Sequence, residues 1–463
     1  MASDVTKVCY YNSILDTIGR TPLVRLNRVT RGARGLILAK VESFNPGGSI
    51  KDRIGVSIVE EAEREGRLRP GGTVVESTSG NTGMGLALVA AVKGYRTVFT
   101  LPDKMSMEKI RLLRAFGSDV IVTPTAVPHD SPESYTEVAK RVVRETPNAV
   151  LANQYENPRN PEAHYRTTGP EIWEQTGGQI DWLICGVGTG GTISGAGKFL
   201  KERKPDVRIV GVDPKGSALR EYFATKKLNP VLKTYKVEGI GQDYVPGVLD
   251  FSWIDEMVQV DDRESFLMAR RLTREEGILA GGSAGTAVAG MMKVADRFRA
   301  EDVVVVILPD SGERYLSKIY NDDWMREYGF LVPERVTPRY ILAAKKAPTP
   351  ALLSVDPATT VRKALELIRE HDVSQVPVLE GGRPVGALED RDLMKMVLER
   401  PALADAPVGE VMAPPFPAVS MDAAVEEVIH LMTSKANSAV LVEEDGRVTG
   451  ILSRYDIIEF LDQ

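Results

Sequence analysis

Condensation with a carbonyl calls for an amine that is not fully protonated, and one lysine of this chain has a sequence setting that favours that state. Lys51 lies in Asn45-Pro46-Gly47-Gly48-Ser49-Ile50-Lys51-Asp52-Arg53, a glycine-rich loop that follows a strand-like run and opens a helix marked by Ile50, Ile54, Ile58 and Ala62. In the first turn of a helix the positive end of the dipole repels an ammonium and lowers its pKa. Most lysines are solvated surface residues, and Lys51 taken alone would be read as one. The sharper reading is an amine kept partly neutral to condense with an aldehyde cofactor.

Two further loops share this strand-to-helix setting. Glu76-Ser77-Thr78-Ser79-Gly80-Asn81-Thr82-Gly83 crowds five hydroxyl or amide side chains and two glycines into one turn. A helix cap needs only one such residue, and exposed amides and hydroxyls at a helix start suit a carboxylate. Gly186-Val187-Gly188-Thr189-Gly190-Gly191-Thr192 satisfies G-x-G-x-x-G, and Asp213 closes the next strand-like run as a dinucleotide fingerprint would. The same converging amides would equally hold one phosphate monoester, with Thr189 and Thr192 adding hydroxyl donors. The loop specifies phosphate without saying which.

These loops need a scaffold. Between residues 36 and 317, short β-branched runs alternate with helical stretches: strands at 35–41 and 73–76, helices at 50–65 and 84–93. Such alternation predicts an α/β fold with a mostly parallel sheet, whose ligands sit at the carboxyl ends of the strands. At 463 residues, 43% of them hydrophobic and 26% charged, more than one domain is expected.

Bulk composition narrows the chemistry. A net charge of −6 provides no field for neutralising nucleic-acid phosphates. The longest aliphatic run, residues 303–308, is too short to cross a bilayer, and the first thirteen residues lack the apolar core of a signal peptide, so a cytoplasmic protein without membrane or nucleic-acid partners is expected. Cys9 and Cys185 offer no disulfide framework, and Cys185 reads as a buried, inert thiol. No pair among His129, His164, His371 and His430 has metal-ligand spacing, so no metal is expected and proton transfer falls to another residue.

Residues 332–350, rich in proline and charge, read as a linker between residues 1–331 and 351–463. Beyond it Val355, Val361, Gly386 and Asp392 return as Val419, Val425, Gly450 and Asp456, at a constant spacing and without a gap. Two copies of one unit are implied, each covering the other's apolar face.

The three loops, in sequence and order, resemble the fold-type II pyridoxal-phosphate enzymes, the family of cysteine synthase and cystathionine β-synthase. The likeness runs from Ile18-Gly19-Arg20-Thr21-Pro22-Leu23 to Ser317-Lys318-Ile319. It implies a tryptophan synthase β-like fold in two subdomains, the one near residues 81–151 mobile. By the same resemblance Lys51 is the Schiff-base lysine, Asn81 lies beside the cofactor ring hydroxyl, and Gly188, Thr189, Gly190, Gly191 and Thr192 cradle its phosphate. Ser283, in Gly281-Gly282-Ser283-Ala284-Gly285, would face the pyridine nitrogen, where a neutral hydroxyl makes a weaker electron sink suited to expelling a β-substituent. Ser77, Thr78, Ser79, Thr82 and Gln154 would grip the amino-acid carboxylate. Val237-Glu238-Gly239-Ile240-Gly241 looks like the segment that places a carboxylate, Glu238, at the mouth of the site; Gln242 stands where some members carry an aromatic residue.

The implied reaction is β-replacement of the hydroxyl of serine by homocysteine, giving cystathionine and water, with hydrogen sulfide released when cysteine replaces serine. The alternative is O-acetylserine with sulfide. The repeat pair resembles tandem CBS domains, a Bateman module. Gly450-Ile451-Leu452-Ser453-Arg454-Tyr455-Asp456 fits their G-h-h-[ST]-x-x-D pattern, so Ser453 and Asp456 are expected to hold an adenosyl ligand such as S-adenosylmethionine, whereas Glu389 spoils the pattern in the first copy. Cys9 has no nearby histidine, so no haem is expected. The resemblance implies at least a homodimer.

Overall fold

The computed structural model describes residues 9–78, 80–103, 105–124, 127, 131–228, 234–331, 336–345, 352–434 and 437–461. It divides into two compact units, Met1–Phe330 and Leu331–Gln463.

The first unit carries strands β1 (Leu23–Arg25), β2 (Leu36–Val41), β3 (Thr73–Ser77), β4 (Arg96–Pro102), β5 (Asp119–Thr123), β6 (Ala149–Leu151), β7 (Ile180–Gly186), β8 (Arg208–Pro214), β9 (Glu256–Val260) and β10 (Val303–Leu308). They form a six-stranded sheet in the order β1-β2-β10-β7-β8-β9 and a four-stranded sheet in the order β5-β4-β3-β6. Every described pairing in them is parallel except β1 with β2. The sequence of β10 explains its central place: all six of its aliphatic side chains are buried, as a parallel strand covered on both faces requires. The four-stranded sheet spans 73–151 and so takes in β3 together with the stretch 81–151.

The apolar spacing read for the Lys51 helix is the buried face of helix Lys51–Arg64, where Ile54, Ile58 and Ala62 are shielded. That face meets helix Asn81–Lys93 at backbone distance. A Cβ on Gly85 would stand 2.5 Å from the Lys51 carbonyl oxygen, so only glycine permits the approach that brings the Lys51 and Asn81 loops side by side.

In the second unit the repeat is carried through to the turns. Helices Val361–Glu370 and Val425–Ser434, and hairpins Gln375–Glu380 with Arg383–Glu389 and Ala439–Glu444 with Arg447–Ser453, lie 64 positions apart, as Val361 and Val425 show. Both hairpins turn through two residues of positive φ, Gly381-Gly382 and Asp445-Gly446, the geometry that matches strand twist. The register slips at Val378/Leu379 in one and Val442/Glu443 in the other.

The stretch expected to be a linker, 332–350, contains a helix. Pro338–Ala344 is a helix of the second unit with proline in its first turn and Ile341 buried, because Tyr340-Ile341-Leu342 supplies an apolar face that composition alone hid. Residues 332–335 and 346–350 of that stretch lie outside the described residues.

Candidate active site

Lys51, Asn81, Thr82, Gln154, Gly188, Thr189, Gly190, Thr192, Glu238, Gly239 and Ser283 line one cavity of about 1250 Å³ in the first unit. It opens where β3, β7 and β10 end, the place at which parallel sheets bind ligands. Ser77 and Thr78 stand just beneath it: Ser77 closes β3, and the Thr78 hydroxyl accepts from the Gly80 amide at 3.0 Å, shaping the turn. Ser79 lies outside the described residues. Within the cavity the Thr82 hydroxyl donates to Gln154 Oε1 at 2.6 Å, which orients both side chains.

Lys51 is the first residue of its helix, as its sequence setting predicts, and its ammonium is pushed down to about 8. Loss of water around Nζ is the main cause, and the Asp310 carboxylate opposes it. Desolvation acts in the same direction as the helix dipole expected from the sequence, because Nζ is shut in among packed elements. Burial also pushes the Cys185 thiol up to about 12, so it stays protonated. Glu76, at the root of the second loop, is pushed up to about 8 by burial.

Glu238 was expected as a carboxylate at the mouth. It is largely buried, its oxygens accepting from Lys109 and Lys318 at 2.7 Å each, and the desolvation that would raise its pKa is outweighed by the two ammoniums. Lys109 escaped the sequence reading because its helix, Met107–Ala115, carries no loop motif.

Asn160 has no place in the sequence motifs, and His164 enters there only as a histidine without a metal-ligand partner. One turn apart on helix Arg159–Arg166, they reach the glycine-rich loop after β7: Asn160 Nδ2 donates to Thr189 Oγ1 at 3.0 Å, and His164 Nε2 meets Thr192 Oγ1 at 3.2 Å. Burial holds the His164 imidazole well below its usual range, hence neutral. Their i, i+4 spacing facing Thr189 and Thr192 was the available signal. Asp213, the acid of a dinucleotide fingerprint, is fully buried, accepts from the Arg220 amide at 2.9 Å, and does not line the cavity.

In the second unit the Asp456 carboxylate accepts from the Ser453 hydroxyl at 2.7 Å, while its other oxygen pairs with Lys345 at 3.0 Å. A separate cavity of about 300 Å³ borders Glu389, Asp392, Asn437 and Ser438. Of the two motifs, the one that fits the pattern is engaged by the chain's own lysine, and the one that departs from it faces open space.

A lysine of lowered pKa, a phosphate-type glycine loop and a carboxylate-type loop at the ends of parallel strands define a pyridoxal-phosphate dependent enzyme. Residues 14–310 match the family model of that description, and residues 344–399 and 408–463 each match the CBS domain. Within that class the chain belongs to the cystathionine beta-synthase family. It is 41% identical to the enzyme of that name from Dictyostelium discoideum over 97% of this chain and 92% of the relative. It is 45% identical to the one from Rattus norvegicus over 83% of this chain and 69% of the relative. Among solved structures, a hydrogen sulfide-producing enzyme from Fusobacterium nucleatum superposes with a TM-score of 0.62 at 37% identity, covering 66% of this chain and all of that one.

The cofactor of this class is pyridoxal 5′-phosphate, and the phosphate loop has the form to take it. A Cβ on Gly188 would stand 2.5 Å from the Gly239 carbonyl oxygen, so glycine lets the loop lie flat against that segment. Gly190, at φ +86°, then turns the chain into the helix that starts at Gly191.

Proposed function

We propose that this chain joins L-serine to L-homocysteine, giving L-cystathionine and water, and releases hydrogen sulfide when cysteine takes the place of serine. The observation that carries the reading is Lys51, an amine lowered to about 8 in the same cavity as a phosphate-type loop and a carboxylate-type loop. The names of its relatives support the choice of substrates.

In this reading Lys51 Nζ holds the cofactor, Gly188 to Thr192 its phosphate, Asn81 its ring oxygen, and Ser283 its pyridine nitrogen. When bound, the cofactor supplies the electron sink that makes the α-proton of serine acidic and its β-hydroxyl expellable. The Ser77–Thr82 loop and Gln154 orient the serine carboxylate. Lys51 Nζ, displaced by serine, takes the α-proton and passes it to the departing hydroxyl, which leaves as water; it then takes the proton of the incoming thiol and delivers it to the α-carbon as the sulfur bonds to the β-carbon. Glu238 and Gly239 bound the side from which the second substrate enters. Closure of the lobe built on β3 to β6 would exclude water during the exchange.

The second unit is a regulatory module in which Ser453 and Asp456 hold an adenosyl ligand. The chain works in the cytoplasm as a homodimer at least. No helix among the described residues is long and apolar enough to cross a membrane.

Product analysis with serine plus homocysteine and with O-acetylserine plus sulfide, each with and without S-adenosylmethionine, tests the proposal. Cystathionine formation dominating supports it; exclusive use of O-acetylserine and sulfide would make the chain a cysteine synthase instead. Lys51→Ala is expected to abolish turnover and borohydride labelling of that position.

A further inference from the structure

We propose that Asp310 and Arg314 are positioning residues that decide which end of the Asn81 amide faces the cofactor ring; this rests on the reading of Asn81 as the neighbour of the ring oxygen. Asn81 Nδ2 donates to Asp310 Oδ2 at 2.7 Å, and Arg314 Nη1 donates to Asn81 Oδ1. A carboxylate only accepts and a guanidinium only donates, so the reversed amide would set oxygen against oxygen and N–H against N–H. The amide is therefore locked: its oxygen is engaged by Arg314, and one of its two N–H groups is held by Asp310. What remains to meet the ring oxygen is the second N–H, a donor. A donor at that point favours the ionised ring oxygen over the protonated one.

The same two residues tie Asn81 to the other loops. Arg314 Nη2 donates to the Gly47 carbonyl, in the loop that leads to Lys51. The Asp310 backbone bridges to Ser49 and accepts from the Gly281 amide at 3.3 Å, two residues before Ser283. Tyr315 Oη holds Asp310 Oδ2 at 2.6 Å. Asp310, Arg314 and Tyr315 are each 2% exposed, so water does not compete for these bonds. Nothing assigned from the loop motifs requires this pair; it lies after β10, far along the chain from Asn81.

The test uses purified holoenzyme of the wild type, Asp310→Asn, Arg314→Lys and the exchange variant Asn81→Asp/Asp310→Asn, reading the ratio of the visible to the near-ultraviolet cofactor band against pH, kcat, KM and melting temperature. Asp310→Asn and Arg314→Lys are expected to shift the ratio toward the near-ultraviolet band and to lower kcat roughly tenfold to a hundredfold with little change in KM, the loss expected for a charge-assisted hydrogen bond. The exchange variant restores the pairing between positions 81 and 310, so its melting temperature recovers while an acceptor faces the ring and the near-ultraviolet band persists. Should Asp310→Asn not fold, Arg314→Lys and the exchange variant decide. Wild-type band ratios and kcat in Arg314→Lys, or recovery of the visible band in the exchange variant, would overturn the inference. A wild type that takes up no cofactor at Lys51 would instead overturn the proposed function.

Discussion

Lys51 shows how far a single residue can be read and where the reading stops. Its position at a helix start, in a glycine-rich loop, was visible as local text, but its main perturbation is loss of water, which depends on what closes over Nζ. A lysine whose folded pKa lies below its unfolded value opposes folding while the unfolded chain is charged, and the opposition fades as pH rises from about 8 toward 10.5. The apoprotein is therefore expected to gain about 1–3 kcal/mol at pH 7 on Lys51→Met. The gain should shrink by pH 10, which denaturant melts of cofactor-free protein at the two pH values would check. Glu238 makes a similar point: its sequence setting predicted a carboxylate near the mouth, but its two lysine partners arrive from segments with no motif.

At the scale of elements, two contacts assemble the site. The crossing of helices Lys51–Arg64 and Asn81–Lys93 depends on Gly85, and Gly85→Val would force the helices apart. A loss of roughly 1–3 kcal/mol, or more if the helices cannot yield, is expected from the denaturation midpoint, together with weaker cofactor binding because the two loops separate. Helix Arg159–Arg166 is the second contact. Asn160→Ala is expected to weaken cofactor affinity roughly threefold to tenfold, read by fluorescence titration, since an uncharged hydrogen bond to Thr189 is lost. The helix itself was harder to foresee than the loops: Arg159-Asn160-Pro161-Glu162 carries a proline and polar residues, and only its contacts explain its place.

At the scale of the molecule, the chain pairs the pyridoxal-phosphate dependent unit with a unit of two CBS domains, and the repeat read from the sequence reappears there as two equivalent helix-and-hairpin pairs. Ligand control there is expected to run through Lys345, whose ammonium sits on Asp456 and on the Ile451 carbonyl at 2.9 Å. An adenosyl ligand that uses Asp456 must displace it. Lys345→Ala is expected to tighten S-adenosylmethionine binding roughly threefold to tenfold in calorimetry on the full-length protein, the scale of a partly exposed ion pair. Unchanged affinity would mean that the ligand enters elsewhere, for which the cavity beside Glu389 and Asp392 is the available space.

The sequence by itself determined the class of enzyme, the three chemical loops and the duplicated second unit. Each is written in contiguous residues, because a glycine turn, a helix start or a repeat acts on its immediate neighbours. Only the tertiary structure decided the company those residues keep. Asn81 and Asp310 stand 229 positions apart, and no local pattern records that one holds the other. Desolvation of Lys51, the two lysines on Glu238 and Lys345 on Asp456 are likewise products of packing, since electrostatic environment is set by what folds nearby rather than by what lies adjacent in the chain.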